Sequence, residues 1–156
     1  MSDYRIAAIA LDESSLAKRS REIEHEREIA VHDLLEENLF RPKGSPGGPY
    51  HLLLSIAESR LALDIKRDSG EEHGHVLLSL TPFKRVMKDY FLVCESYYAA
   101  VRDGRGAQIE AIDMGRRGLH NDGAKLLAER LKGKIEIDND TARRLFTLMC
   151  VLHLRR

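Results

Sequence analysis

The sequence predicts an α+β fold: a small antiparallel sheet of three or four strands packed against helices, with a mostly helical C-terminal half. Two observations carry it. Between Tyr50 and Leu80 three short apolar runs are separated by turn residues, the pattern of a strand meander. After Thr81-Pro82 the apolar residues recur at helical spacing. A third observation sets the scale: 156 residues, 43% hydrophobic and 32% charged, suit one globular domain spanning 1–156 and not a disordered chain.

Each element has its own signal. Tyr4–Leu11 is too short for a helix and ends at the polar run Asp12–Ser15, so it reads as a strand. Ser20–Phe40 reads as a helix, with Ser20 as cap and an apolar stripe through Ile23, Ala30, Val31, Leu34 and Leu35. Pro42–Pro49 is rich in proline and glycine and is expected to be a mobile loop tolerant of shortening. Tyr50–Ala57 and Arg60–Arg67 form a hairpin around Glu58-Ser59, and His75–Leu80 is the third strand.

Thr81 and Pro82 are expected to cap and open a long helix whose stripe runs from Phe83 to Val101. Ala107–Leu119 and Gly123–Leu131 read as two further helices, the second capped by Asn121 or Asp122. Lys134–Ile137 is a short strand, and Asp138 or Asp140 caps a last helix through about His153. Leu145–Leu152 is apolar around most of the circumference. Such a helix is either the centre of the core or completes its burial against a second copy, so a homo-oligomer through this helix is one expectation.

Charge narrows the partners. Lys+Arg and Asp+Glu are both 25, so a broadly basic coat for nucleic acid is excluded and only a local patch remains. No apolar run reaches the length of a membrane span. Two cysteines outside any CxxC pair give no disulfide framework, and the expected location is the cytoplasm.

Among candidate sites, Asp113–Gly123 (DMGRRGLHNDG) stands out. Glycine inside a helix costs about 1 kcal/mol relative to alanine, so three in one helical stretch call for a reason. Asp113, Arg116 and His120 share a helical face, with Arg117 and Asn121 beside them. A carboxylate, guanidinium and imidazole suit an anionic ligand or a proton transfer, and a helix start at Asn121 would add backbone N–H groups. The plain alternative is an internal ion-pair network with close helix packing.

Glu22, His25, Glu28 and His32 have metal-like spacing but no second Glu-x-x-His helix, so no metal and no cofactor are expected. Lys84, Arg85, Lys88 and Arg102 lie beside Tyr90, Tyr97 and Tyr98, yet two of the tyrosines fall on the apolar stripe. Cys94 and Cys150 sit in apolar runs as buried small hydrophobes. No nucleophile elbow, phosphate loop or zinc-protease signature is present.

The strings DLLEEN (33–38), LTPFKRVMKDYFLVCESYY (80–98), QIEAIDMGRRGLHNDGA (108–124) and KIEIDNDTARRLFTLMCVLH (134–153) resemble a bacterial family of uncharacterised, single-domain proteins known by a placeholder designation. The resemblance covers almost the whole chain. It implies an intracellular bacterial protein and brings no reaction, cofactor or catalytic residue.

Three functions therefore compete. The first is an interaction or regulatory module without catalytic activity, acting on a protein partner. The second is a small enzyme or ligand-binding protein using Asp113, Arg116, Arg117, His120 and Asn121 on a phosphate- or carboxylate-bearing molecule. The third, least favoured, is nucleic-acid binding through Lys84, Arg85, Lys88 and the Arg116-Arg117 pair.

Overall fold

The computed structural model describes residues 3–12 and 21–153. The elements are strands β1 (Ile6–Leu11), β2 (Phe40–Pro42), β3 (Tyr50–Ala57), β4 (Arg60–Arg67), β5 (Glu72–Ser79) and β6 (Ile135–Ile137). The helices are α1 (Arg21–Glu36), α2 (Lys84–Arg102), α3 (Gly106–Leu131) and α4 (Asn139–His153). The α+β class holds, with the helices concentrated in the C-terminal half.

The main sheet has the order β1-β3-β4-β5. β3, β4 and β5 are the expected antiparallel meander. The hairpin turn at Glu58 and Ser59 has φ of 54° and 60°, the two left-handed residues that a two-residue hairpin needs to match strand twist. β1 departs from the expectation. It pairs parallel to β3, so the sheet is mixed. The physical reason lies in the connection: α1 stands between β1 and β3, and a helix crossover returns the chain in the same direction.

α1 is shorter than expected because Asn38 takes another role. Its side-chain oxygen accepts from the Ile6 N–H at 2.7 Å, and its amide nitrogen donates to the Ile6 carbonyl at 3.0 Å and to the Leu34 carbonyl at 2.8 Å. One side chain thus ends the helix and pairs with β1 as a neighbouring strand would. The chain beyond becomes β2, antiparallel to β6. The cap expected at Ser20 lies outside the described residues.

The loop after β2 is held in place, against the expectation of tolerance. Gly48 N–H donates to the Asp3 carbonyl at 2.8 Å, and Arg67 Nε donates to the Gly47 carbonyl at 2.8 Å. A Cβ at Gly48 would come within 2.6 Å of that Asp3 oxygen and 2.8 Å of the Tyr50 ring. Only the tip around Lys43, Gly44 and Pro46 is exposed.

Thr81 does not cap a helix. Thr81–Phe83 is a turn of 3-10 helix that leads into α2, and its cap position is Leu80, without a side-chain bond. Asp138 does cap α4, accepting from the Thr141 N–H at 2.9 Å. α4 is the centre of the core: every residue from Leu145 to Leu152 is buried. α1 and α3 flank it and the sheet contributes β3, so the chain itself covers this helix on its apolar sides.

α3 is one continuous helix of 26 residues, not two. Asn121 and Asp122 are therefore helix-interior, and their N–H groups bond within the helix and are not free for an anion. The three glycines have different surroundings. A Cβ at Gly118 would meet nothing within 4 Å, and one at Gly115 only Val93 at an ordinary 3.8 Å. A Cβ at Gly123 would overlap the Phe146 ring of α4. Close packing is the reason for Gly123 alone.

Candidate functional site

α2 and α3 lie side by side, and α4 packs against α3 from below. This brings the middle of α3 against α1 and α4. Arg116 is its hub and is 24% exposed. Its Nε and Nη2 donate to the same oxygen of Asp113, at 3.0 and 2.6 Å. Its Nη1 donates to Glu26 Oε1 of α1 at 3.3 Å. Its guanidinium lies over the Tyr97 ring, 4.3 Å from the centroid. Tyr98 donates its hydroxyl proton to the same Glu26 oxygen at 2.7 Å. The second Asp113 oxygen is taken by Arg117, at 3.0 Å.

Each ionised group is therefore matched. The Arg116 bond, working against burial, holds the Asp113 carboxyl below its usual range. Burial lowers the Arg116 pKa, but the Asp113 bond and the Glu26 charge outweigh it and raise the value overall.

His120 occupies a drier place one turn on. Its Nε2 lies 2.7 Å from the Thr147 hydroxyl of α4, and its ring packs against Tyr90 at 5.4 Å and Phe146 at 5.5 Å. Burial, then the charges of Arg143 and Arg116, push its pKa down to about 4. The imidazole is neutral at physiological pH. The Thr147 hydroxyl also donates to the Arg143 carbonyl at 3.2 Å, so the imidazole, the hydroxyl and the helix backbone form one short polar chain.

Beside this cluster, between α1, α2 and α4, is a cavity of about 30 Å3 lined by Ile23, Glu26, Tyr90, Cys94, Tyr98 and Cys150 among others, and by none of the α3 residues Asp113, Arg116 or His120. That is room for roughly one water molecule and no more. Both thiols are buried there. Burial pushes Cys94 up to about 11 and raises Cys150 as well, so neither is a ready nucleophile.

Comparison with known proteins fits this chain to one group end to end. The model of the uncharacterised protein family UPF0262 matches residues 3–155. The chain belongs to that family. It is 61% identical over 150 residues to the UPF0262 protein of Xanthobacter autotrophicus, an alignment covering 96% of this chain and 92% of the other. A relative in Rhizobium meliloti is 56% identical over 153 residues, covering 98% and 96%. One in Phenylobacterium zucineum is 57% identical over 152 residues, covering 97% and 94%. No solved structure matches the chain. The family is uncharacterised, so membership brings no reaction with it.

In this UPF0262 chain the five expected site residues do not converge on one opening. Asp113 and Arg116 are joined, Arg117 is 63% exposed outside them, His120 faces α4, and Asn121 is exposed. Arg116 turns toward Glu26 and so is withdrawn from any basic face shared with Lys84, Arg85 and Lys88, which are exposed on α2. The α1 face expected to be solvated carries exposed His25, Glu28 and His32, and Glu22 faces Arg102 at 3.9 Å. Glu26 and Thr147 are the partners that sequence reasoning missed. Glu26 was one glutamate among several in an acidic helix start, and Thr147 a lone hydroxyl in an apolar run. No helix among the described residues is long and apolar enough to cross a membrane.

Proposed function

We propose that this protein is a cytoplasmic interaction module without catalytic activity, in which the Asp113–His120 segment is the internal joint that locks α1, α3 and α4 together. The observation that carries the reading is the closure of Arg116: one guanidinium is shared by Asp113, Glu26 and the Tyr97 ring. A site awaiting an anion leaves its arginine fork open, whereas here the fork is filled by the chain's own carboxylates. The neutral imidazole, the raised thiols and a cavity fit for one water support the same reading. Two free cysteines suit a reducing compartment.

The test combines two melting experiments. Arg116→Ala strands Asp113 and Glu26, which are partly screened by solvent, and is expected to cost about 1–3 kcal/mol. For a chain of this size that lowers Tm by roughly 3–10 °C. A panel of phosphorylated and carboxylated metabolites is expected to leave the wild-type Tm unchanged. A metabolite present at about 100 times its Kd would add roughly 2.7 kcal/mol, an easily seen rise. Such a rise, abolished in an Arg116→Ala or His120→Ala variant that itself melts like the wild type, overturns the proposal in favour of a ligand site.

A further inference from the structure

The ribbon of β2 and β6, the loop tip after β2 and the last turns of α3 enclose an open groove of about 1200 Å3. We infer that this groove is the module's docking surface, and that it receives an extended acidic segment of a partner protein. The inference rests on the reading of the chain as an interaction module and supplies the surface that reading lacks.

Charge is the first argument. The chain as a whole has no net charge, but Arg41, Lys43, Lys125, Lys132 and Lys134 line this groove against only Glu129 and Glu136. All five cations are exposed. None of the four lysines belongs to an ion pair among the described residues, a property they share with Lys66, Lys84 and Lys88; what sets them apart is that they are gathered with Arg41 in one concave wall. A concentration of unpaired positive charge in a concave wall focuses a field on whatever lies in the groove.

Shape and lining choose the partner. The groove exceeds the roughly 300–1,000 Å3 of a small-molecule pocket. Between its lysines it presents Pro46, Ala128 and Ile137, and among the described residues no aromatic ring lines it. Single-stranded nucleic acid is held by bases stacked on aromatic rings, a platform this lining does not offer. An extended peptide alternates its side chains, so leucine-sized groups reach the aliphatic strip while carboxylates reach the lysines.

The experiment uses the full chain, uniformly labelled with 15N, and a fluorescent eight-residue peptide of glutamates with two interspersed leucines. Expected are saturable binding by anisotropy, weakening about tenfold or more as salt rises from low to several hundred millimolar, and amide shifts concentrated at Lys125, Lys132, Lys134 and Ile137. The exposed double change Lys132→Glu and Lys134→Glu is expected to weaken binding about tenfold or more without altering Tm. The inference is overturned if the glutamine version of the peptide binds equally, if a twelve-nucleotide oligothymidylate binds as well or better, or if millimolar peptide shifts no groove amide. Those results leave the module reading standing, because that reading fails on a metabolite bound at Arg116 and not on the peptide.

Discussion

One helix offers the same substitution in two surroundings, and the two are expected to change stability in opposite directions. Gly118 and Gly123 both lie inside α3, so replacing either by alanine recovers about 1 kcal/mol of helix propensity. At Gly118 nothing stands within 4 Å of the new Cβ, and that gain is the whole effect. At Gly123 the new Cβ overlaps the Phe146 ring. The ring cannot swing aside: Phe146 is fully buried, with Tyr90 at 5.8 Å and His120 at 5.5 Å edge-to-face against it. Overpacking of this kind costs about 1–3 kcal/mol, and contact with several ring atoms at once places it at the upper end. The net loss is about 2 kcal/mol. With roughly 2–4 °C per kcal/mol for a chain of this size, Gly118→Ala raises Tm by about 2–4 °C and Gly123→Ala lowers it by about 4–8 °C. Urea unfolding followed by circular dichroism, with unchanged slopes, checks both values. The double variant Gly123→Ala with Phe146→Leu should recover part of the loss relative to the sum of its singles. A Gly118→Ala protein less stable than wild type, or a Gly123→Ala protein at least as stable, refutes the assignment of Gly123 as the contact point of α3 and α4.

Other expectations follow from the core and its polar joints. Phe146→Ala should cost about 3–5 kcal/mol in denaturant unfolding, and a loss below about 1 kcal/mol would misplace the core. Asn38→Asp removes the two donations to Ile6 and Leu34 carbonyls and should cost about 2–3 kcal/mol; hydrogen exchange at β1 amides should quicken, and unchanged exchange would deny Asn38 its strand-like role. Because the folded His120 pKa, about 4, lies below the unfolded value, the unfolded chain binds this proton first as pH falls. Its stabilisation is complete above about pH 6.5 and is lost as pH falls towards 4, so His120→Gln should flatten Tm over that window, and an unaltered profile would contradict a buried neutral imidazole. Deleting Gly47 and Gly48 removes the bonds to Arg67 and Asp3 and should lower Tm by several degrees, whereas a wild-type melt would restore the picture of a tolerant loop.

The hairpin of β3 and β4 was legible residue by residue because alternation is a local property: Leu61, Leu63 and Ile65 face the core and their neighbours do not. α4 was legible for the same kind of reason, since a helix apolar on all sides has to lie in the middle. The misreadings occurred where a distant group outbid a local preference. Leu39 and Phe40 continue the helical spacing of α1, but the Leu39 N–H bonds Thr141 and the Phe40 N–H bonds the Tyr4 carbonyl, and these partners draw the chain into β2. In α3 the opposite occurred. Glycines and capping residues signalled a break, yet Ala124, Leu127 and Leu131 bury one face against the core, and that burial outweighs the roughly 1 kcal/mol that each glycine costs. The parallel pairing of β1 was implicit in the strand-helix-strand order and was obscured by the antiparallel meander that follows.

At the candidate site the sequence held half of each interaction. Asp113 and Arg116 are one helical turn apart, so their pairing was readable from spacing alone. Glu26 stands 90 residues from Arg116 and Thr147 stands 27 from His120, and nothing in the spacing of either pair marks it. Yet these remote halves decide the chemistry. Without Glu26, Tyr97 and Thr147, the segment is a carboxylate, two arginines and an imidazole on one helix, the composition of an anion site. With them, the guanidinium is saturated and the imidazole is neutral. The groove shows the converse. Its lysines come from three separate stretches, none remarkable by itself in a chain of balanced charge, and only the folding of β2 and β6 beside the end of α3 gathers them into one wall. Density of charged residues along the chain thus marked a place where charge is consumed internally, and the place where charge remains available was assembled by tertiary structure alone.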